Sequence, residues 1–476
     1  MVKIKDLLHY TTGPVMSAFL GLLITPLLAW TFAMEDVGRV SIYHLICNLV
    51  VMVFTLGLDQ YYMREYYKAE KVSLMITCIM PGIISLGIFS YLFYAYRVSI
   101  LQYLFEISND ATAIIIISSF IVTLINRYLS LNLRMEGKAL KFSFSQIIPK
   151  LVISLALISI LYLEDVMFDG LLYVYLLSNI VLLVYLLIEN FKIYNFLNLF
   201  EKNKFNFKDL KDGFSFGLPL ILSGLAFWGL TSIDKLMIKD LSSLNELALY
   251  SVAVSFASAV VIIRSVFSTI WAPAIYKNED HPDIEKNIRS VVSLMGVVIF
   301  YLFCIVGIFS PLVAIILPDN YELVSSIIIC CVGYPLFYTM SEATSMGINV
   351  KKKTYYSMLV SILTLGVNFV LNYLLIPFLG SGGAAVATLI SFYIYYVFRC
   401  EISSRIWISF PRFRQYFEFL IVILLCTLQV VFHDFPPLSK ALIWCTVLVF
   451  YTFFYRSYLY LQYSKLTKLL KKRVKV

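Results

Sequence analysis

The sequence predicts an all-α integral membrane protein of about fourteen transmembrane helices, arranged as two six-helix bundles followed by two C-terminal helices. Three observations lead there. Of 476 residues, 60% are hydrophobic and 14% charged, whereas soluble domains carry about 25% charged residues. The apolar residues fall in blocks of roughly 20, the length at which a helix crosses a hydrocarbon core about 30 Å thick. The blocks do not alternate apolar with polar as barrel strands do, which leaves helices.

The expected spans, in order, are Gly13–Ala33, Val40–Leu58, Leu74–Tyr94, Ala111–Leu131, Phe144–Leu163 and Gly170–Ile188. After a polar stretch, Glu189–Asp212, come Phe214–Ile238, Leu247–Trp271, Ser290–Phe309, Leu323–Ala343, Tyr355–Pro377 and Gly382–Phe398. Phe417–Phe432 and Leu438–Tyr455 complete the set. Short connections make neighbouring helices antiparallel. The organisation is therefore a bundle over 1–190, a linker over 191–213 and a second bundle over 214–400. Two further helices and a basic tail occupy 401–476. Lys3 and Lys5 precede the first block as in a signal peptide, but the block is longer than a signal-peptide core and no small-residue cleavage site follows. It reads as a retained span.

Charge sets the orientation. With the N-terminus cytoplasmic, inside segments hold thirty Lys and Arg residues, and outside segments hold only Arg39, Arg97, Lys239 and Lys440. That asymmetry places both termini in the cytoplasm. The tail Lys465–Lys475 is expected along anionic headgroups, making membrane lipids a partner. Because the net charge of +9 is dispersed over short loops, nucleic acid is not an expected partner. The eight cysteines lie in or at the ends of apolar blocks and read as small buried hydrophobes. A faint parallel repeat aligns Gly38 with Ala248 and Ser41 with Ser251, an offset of 210 residues. Six spans per half fits a two-bundle transporter.

Four cations fall inside spans: Arg127, Lys150, Lys235 and Arg264. A mid-membrane cation costs at least about 2.5 kcal/mol, so each asks for a reason. Arg127 and Lys235 lie near helix ends, where snorkelling to headgroups is an alternative. Arg264 is the hardest to excuse. Asp234 adjoins Lys235, but neighbouring helical residues do not face one another, so it is a candidate for an ion pair elsewhere or for ion coupling. Polar stripes accompany the cations. Ser255 and Ser258 belong to one on the eighth span, Asn126 to one on the fourth, and Thr364 and Asn368 to one on the eleventh. Such stripes also serve helix packing. Together with the cations they suggest a polar, cationic interior that takes an anionic, hydroxyl-rich substrate.

No metal-ligand spacing, acid–base histidine cluster or P-loop appears, so no metal, cofactor or ATP hydrolysis is expected. Nor is there a long outer loop with paired carboxylates, which disfavours an enzyme.

Phe216-Gly217-Leu218-Pro219-Leu220, Trp228, Ser232-Ile233-Asp234-Lys235, Leu249-Tyr250-Ser251-Val252-Ala253 and Trp271-Ala272-Pro273 form one set of motifs. Lys352-Lys353-Thr354, Asn368-Phe369-Val370-Leu371-Asn372, Ile376-Pro377 and Gly382–Thr388 form another. Together they resemble the Wzx-type O-antigen and polysaccharide flippases of the multidrug/oligosaccharidyl-lipid/polysaccharide exporter superfamily. The first half agrees through Thr25-Pro26, Gly38 and Gly57. Leu247-Ala248 departs from a glycine that the family often has there. The resemblance implies a V-shaped pair of bundles around a cationic cavity. It also implies transfer of an undecaprenyl-pyrophosphate-linked oligosaccharide across the bacterial inner membrane by alternating access, in lipopolysaccharide or similar polysaccharide biosynthesis. Expected partners are that substrate, a polysaccharide polymerase and other assembly proteins. The alternatives are a multidrug/organic-cation antiporter of the same superfamily, which would want acidic cavity residues, and a membrane-embedded glycan polymerase or ligase.

Overall fold

A computed structural model describes residues 4–160, 168–191, 205–277 and 281–473, with side chains except those of 4–11, 223, 269 and 457–473. Thirteen described helices are long and apolar enough to cross a membrane. One of them, Tyr355–Ile406, has 52 residues and is broken at Gly380 (φ 54°, ψ −130°). Unbroken, it would reach roughly 78 Å, far beyond one bilayer, so it is two spans. The expected architecture of about fourteen crossings is therefore the observed one, with no strand among the described residues.

The first half comprises α1 (Ile4–Thr31), α2 (Met34–Phe54), α3 (Leu58–Glu65), α4 (Lys71–Ala95), α5 (Arg97–Phe105), α6 (Asp110–Met135), α7 (Ala139–Ile160) and α8 (Phe168–Phe191). Here α1 lies along α7, and α6 packs on both α8 and α4. The second half begins with α9 (Phe207–Leu241), α10 (Leu244–Ala257), α11 (Val261–Lys277), α12 (Ile284–Phe309) and α13 (Val313–Ile316). It continues with α14 (Val324–Cys331), α15 (Gly333–Thr344), α16 (Met346–Val350) and the broken α17 (Tyr355–Ile406). In this half α9 and α15 pack on α17, and α10 packs on α14. The expected linker at 191–213 falls largely on residues outside those described.

The last helices, α18 (Phe413–Val431) and α19 (Pro437–Arg473), attach to the second half. Phe300 of α12 stacks on Tyr451 of α19 with ring centroids 3.7 Å apart. Trp444 sits where a Cβ on Gly307 would go and donates its indole N–H to Gln429 Oε1 at 2.7 Å. Large apolar side chains such as Phe378 (86% exposed) and Ile315 (78%) face outward, as lipid contact requires.

Two glycine contacts bring the halves together. At one end a Cβ on Gly38 of α2 would stand 2.3 Å from the Leu244 carbonyl oxygen of α10. At the other, Gly57 (φ 66°) lies against Gly217 of α9, where its Cβ would be 2.4 Å from the Gly217 oxygen. Gly57 follows Leu56, which is itself left-handed at φ 52°. That conformation costs a non-glycine residue about 1–2 kcal/mol, so the junction between α2 and α3 is a strained corner. The sequence expected α2 to continue to Leu58. Two successive left-handed residues instead end it at Phe54 and start α3 as a separate short helix.

Candidate functional site

Two cavities open around the surfaces where the halves meet. The first, of 570 Å³, is walled by α2, α3, α6, α7, α8 and α9. Arg127, Arg134, Asp59, Gln60, Asn126 and Gln146 contribute its polar lining, with Thr123, Ser130 and Asn179. Arg127 donates to Asp59 Oδ2 through Nη2 at 2.7 Å and Nε at 3.2 Å. The pair is lopsided: the Asp59 side chain is 8% exposed and that of Arg127 is 40%. Asp59 is held from within the protein while Arg127 presents a free edge to the cavity. Asn126 donates to the Asn179 carbonyl at 3.0 Å, and its buried Oδ1 has no partner among the described residues. The α3 helix that carries Asp59 is fastened at its far end by Tyr62 and Tyr66. Both hydroxyls donate to Asn132 Oδ1, at 2.9 and 3.0 Å.

The second cavity, of 530 Å³, lies among α1, α2, α7, α8, α10 and α11. Lys150 and His44 line it together with Ser255, Ser258, Ser251 and Ser265. No carboxylate is among its described lining residues, and no described carboxylate pairs with Lys150. The His44 ring meets Tyr175 edge-on with centroids 4.6 Å apart. Ser251, Ser255, Ser258 and Ser265 of the eighth span line this cavity, whereas Ser268 donates to Glu342. Ser255 and Ser258 each spend their own hydroxyl proton on a carbonyl one turn back, leaving oxygen lone pairs for a ligand.

The four intramembrane cations do not share one cavity. Lys235 and Arg264 line neither of the two. Arg264 is turned into the second half, where Nη1 donates to the Tyr334 hydroxyl at 2.5 Å and the guanidinium lies 3.7 Å from the Tyr338 ring centroid. That cation–π seat replaces hydration with two aromatic partners. Asp234 is 1% exposed and accepts from the Tyr250 hydroxyl, from Thr388 Oγ1 at 3.3 Å and from the Lys235 backbone N–H at 2.9 Å. No described cation lies within ion-pair distance of it. Thr364 and Asn368 were expected to line a cavity but are fully buried and line neither of the two. Thr364 donates to the Val360 carbonyl at 2.7 Å, and Asn368 Oδ1 accepts from Asn372 at 2.9 Å. Their stripe serves packing within the second half, the ordinary use of small polar residues between membrane helices.

The structure adds residues that the sequence did not flag. Asp59 lies one residue beyond the expected span Val40–Leu58 and was not singled out. Arg399 was assigned to a loop, yet it is 7% exposed inside α17 and bonds Ser341 Oγ at 3.0 Å and the Tyr395 hydroxyl at 3.3 Å. Lys440, assigned to the outer mouth of the last span, is 7% exposed, with its ammonium bonded to Ser326 Oγ and the His433 carbonyl.

A protein-family model described as polysaccharide biosynthesis protein matches residues 4–279, more than half of the chain. The chain belongs to the polysaccharide biosynthesis protein family. Among relatives of this family member, the Lsg locus putative protein 1 of Haemophilus influenzae is 24% identical over 296 residues, covering 58% of this chain and 67% of that one. Among solved structures, lipid II flippase MurJ in an inward closed conformation superposes with a TM-score of 0.69 at 15% identity, covering 94% of this chain and 99% of that one. An inward-facing multidrug resistance MATE transporter of the MOP superfamily gives 0.62 at 14% identity, covering 82% and 95%. At such identities the superpositions establish a shared fold, and chemistry must come from the site itself.

Proposed function

We propose that this family member is a flippase. It moves an oligosaccharide linked to undecaprenyl pyrophosphate, an O-antigen or similar surface polysaccharide unit, across the bacterial inner membrane with both termini cytoplasmic. The observation that carries this reading is the balance of charge on the two cavity walls. The first cavity offers Arg127 and Arg134 against Asp59, and the second offers Lys150 with no lining carboxylate. Around them stand hydroxyls and carboxamides suited to a glycan. A pyrophosphate gains from cations in a low-dielectric cavity, whereas a cationic drug is repelled by the same field. The fold shared with a protein titled lipid II flippase is compatible with such a substrate.

The roles divide by place. Arg127 grips phosphate in the first cavity. Lys150 receives it in the second, while Ser255, Ser258 and Asn126 contact sugar hydroxyls. Lys235 and Arg264 act at one remove, by adding positive potential from the surrounding helices. The bundles 1–190 and 214–400 rock about the Gly38 and Gly57 contacts, opening each cavity in turn. Asp234, buried with no described ion-pair contact, is available as a proton- or ion-coupling group.

Deleting the protein in its native host tests the reading. The surface polysaccharide should be lost, its lipid-linked repeat unit should accumulate on the cytoplasmic leaflet, and sensitivity to cationic dyes should not change. Intact surface glycan with raised dye sensitivity would instead favour the drug antiporter.

A further inference from the structure

An apolar groove of 450 Å³ lies between α4 and α9, on the other side of the Gly57–Gly217 contact from the polar cavity. Met80, Ile84 and Ile88 of α4 form its outer wall and are 41%, 59% and 61% exposed. Leu210 and Phe214 of α9 form its inner wall, and Leu56 closes it at the corner. None of its described lining residues is charged.

What distinguishes this groove from any lipid-facing surface is its continuity with the cationic cavity. Leu210, Phe214, Gly217, Ile221 and Gly224 follow one another at steps of four and three, which keeps them on a single face of α9. The first two line the groove, the last two line the polar cavity, and Gly217 between them touches Gly57. The same order holds at the corner of α2, where Leu56 lines the groove and Gly57 lines the cavity. At the seam itself backbone meets backbone, with no side chain interposed. Both residues of the corner are left-handed, so the strained conformation sits where the spaces adjoin.

We propose that the groove between α4 and α9 holds the isoprenoid chain of a substrate whose pyrophosphate lies at Arg127, the chain crossing the Gly57–Gly217 seam. This rests on the flippase reading above and assigns the substrate's apolar part a place. The head binds in the cavity by charge and hydrogen bonding. The chain gains only what hydrocarbon contact offers, so it is localised by its covalent link to the head. Parting of the seam lets the linkage pass between α2 and α9, and closure of the glycine contact follows its release.

Photocrosslinking in the full chain tests this. The photoreactive residue p-benzoylphenylalanine replaces Ile84 in the groove, Thr123 in the polar cavity, or Leu363, which is 59% exposed on the second half and equally open to lipid. The probe is a radiolabelled polyprenyl pyrophosphate in membranes. Labelling at position 84 should exceed that at 363 about tenfold, the ratio a 1.4 kcal/mol preference produces. It should fall to the level of 363 when Arg127→Ala is added or when a neutral polyprenol is the probe. Labelling at 123 with equal labelling at 84 and 363 would mean that ordinary lipid fills the groove, overturning this proposal and leaving the flippase reading standing. Labelling at 84 that ignores Arg127→Ala would also overturn it, because the groove would then hold chains without reference to the head. Failure to label 84 or 123 would remove the flippase reading itself and this proposal with it.

Discussion

Arg127 and Asp59 show how one residue pair serves both the fold and the site. A carboxylate with 8% of its surface exposed needs a cation, and Arg127 supplies one while keeping 40% of its own side chain in the cavity. Removing Arg127 leaves Asp59 buried and unpaired. Fully buried pairs lose about 3–5 kcal/mol in such a case; with one partner open to solvent, Arg127→Ala should destabilise by about 2 kcal/mol. Combining it with Asp59→Asn should recover most of that, as read by thermal unfolding in detergent, while glycan export stays lost. Export restored in the double variant would mean that Arg127 only balances Asp59. Asp234 makes a different prediction. Enclosed by Tyr250, Thr388 and the Lys235 N–H, it lines neither cavity, so its part in transport would be through ion coupling. Asp234→Asn should alter how export varies with external pH. Wild-type export at every pH would leave this residue with a packing role.

At the scale of elements, the contact between α2 and α9 depends on two residues without side chains. A Cβ on Gly217 would lie 2.8 Å from the Gly57 carbonyl carbon, and backbone cannot move aside as the end of a flexible side chain does. Gly217→Val should therefore part the seam. A cysteine at Phe214, on the groove side of the seam, should then react faster with a membrane-impermeant thiol reagent added from the cytoplasmic side. Unchanged reactivity in a folded variant would show that the contact is not a closure point. The elements also show what the sequence could and could not say. Spans were legible because roughly 20 successive apolar residues have one solution in a bilayer. The break at Gly380 was legible as the interval between Pro377 and Gly382. The break at Leu56-Gly57 was not, since nothing in a Leu-Gly pair announces two left-handed residues. Asp59, just past the expected end of the second span, was consequently not singled out and its partnership with Arg127 was missed. Most of the polar stripe on α10 and α11 lines a cavity, whereas the similar stripe on α17 is buried. Periodicity identifies a polar face but not what lies opposite it, which is why Ser255 and Thr364 looked alike. The sequence singled out Arg264 but not the seat that holds it, because Tyr334 lies on another helix; Arg399 likewise bonds Ser341 far along the chain.

For the whole molecule, the account needs a particular sidedness. In the proposed orientation, which rests on thirty cations against four, both termini, the first turn of α9 around Lys208 and the cationic end of α6 lie in the cytoplasm. Reporter fusions near Lys208 and Asp319 should give cytoplasmic and periplasmic signals respectively, and either signal reversed would invert the direction of transport. In that orientation Arg127 and Arg134, toward the C-terminal end of α6, lie on the cytoplasmic side of the first cavity. The central claim is that this fold carries an anionic lipid-linked glycan and not a cation. It is tested most directly with the purified protein in proteoliposomes, following leaflet exchange of a fluorescent polyprenyl-pyrophosphate oligosaccharide beside uptake of a cationic dye. The account predicts protein-dependent exchange of the glycan lipid that is lost in Arg127→Ala and Lys150→Ala, with no protein-dependent dye movement. Dye transport without glycan-lipid exchange would contradict it.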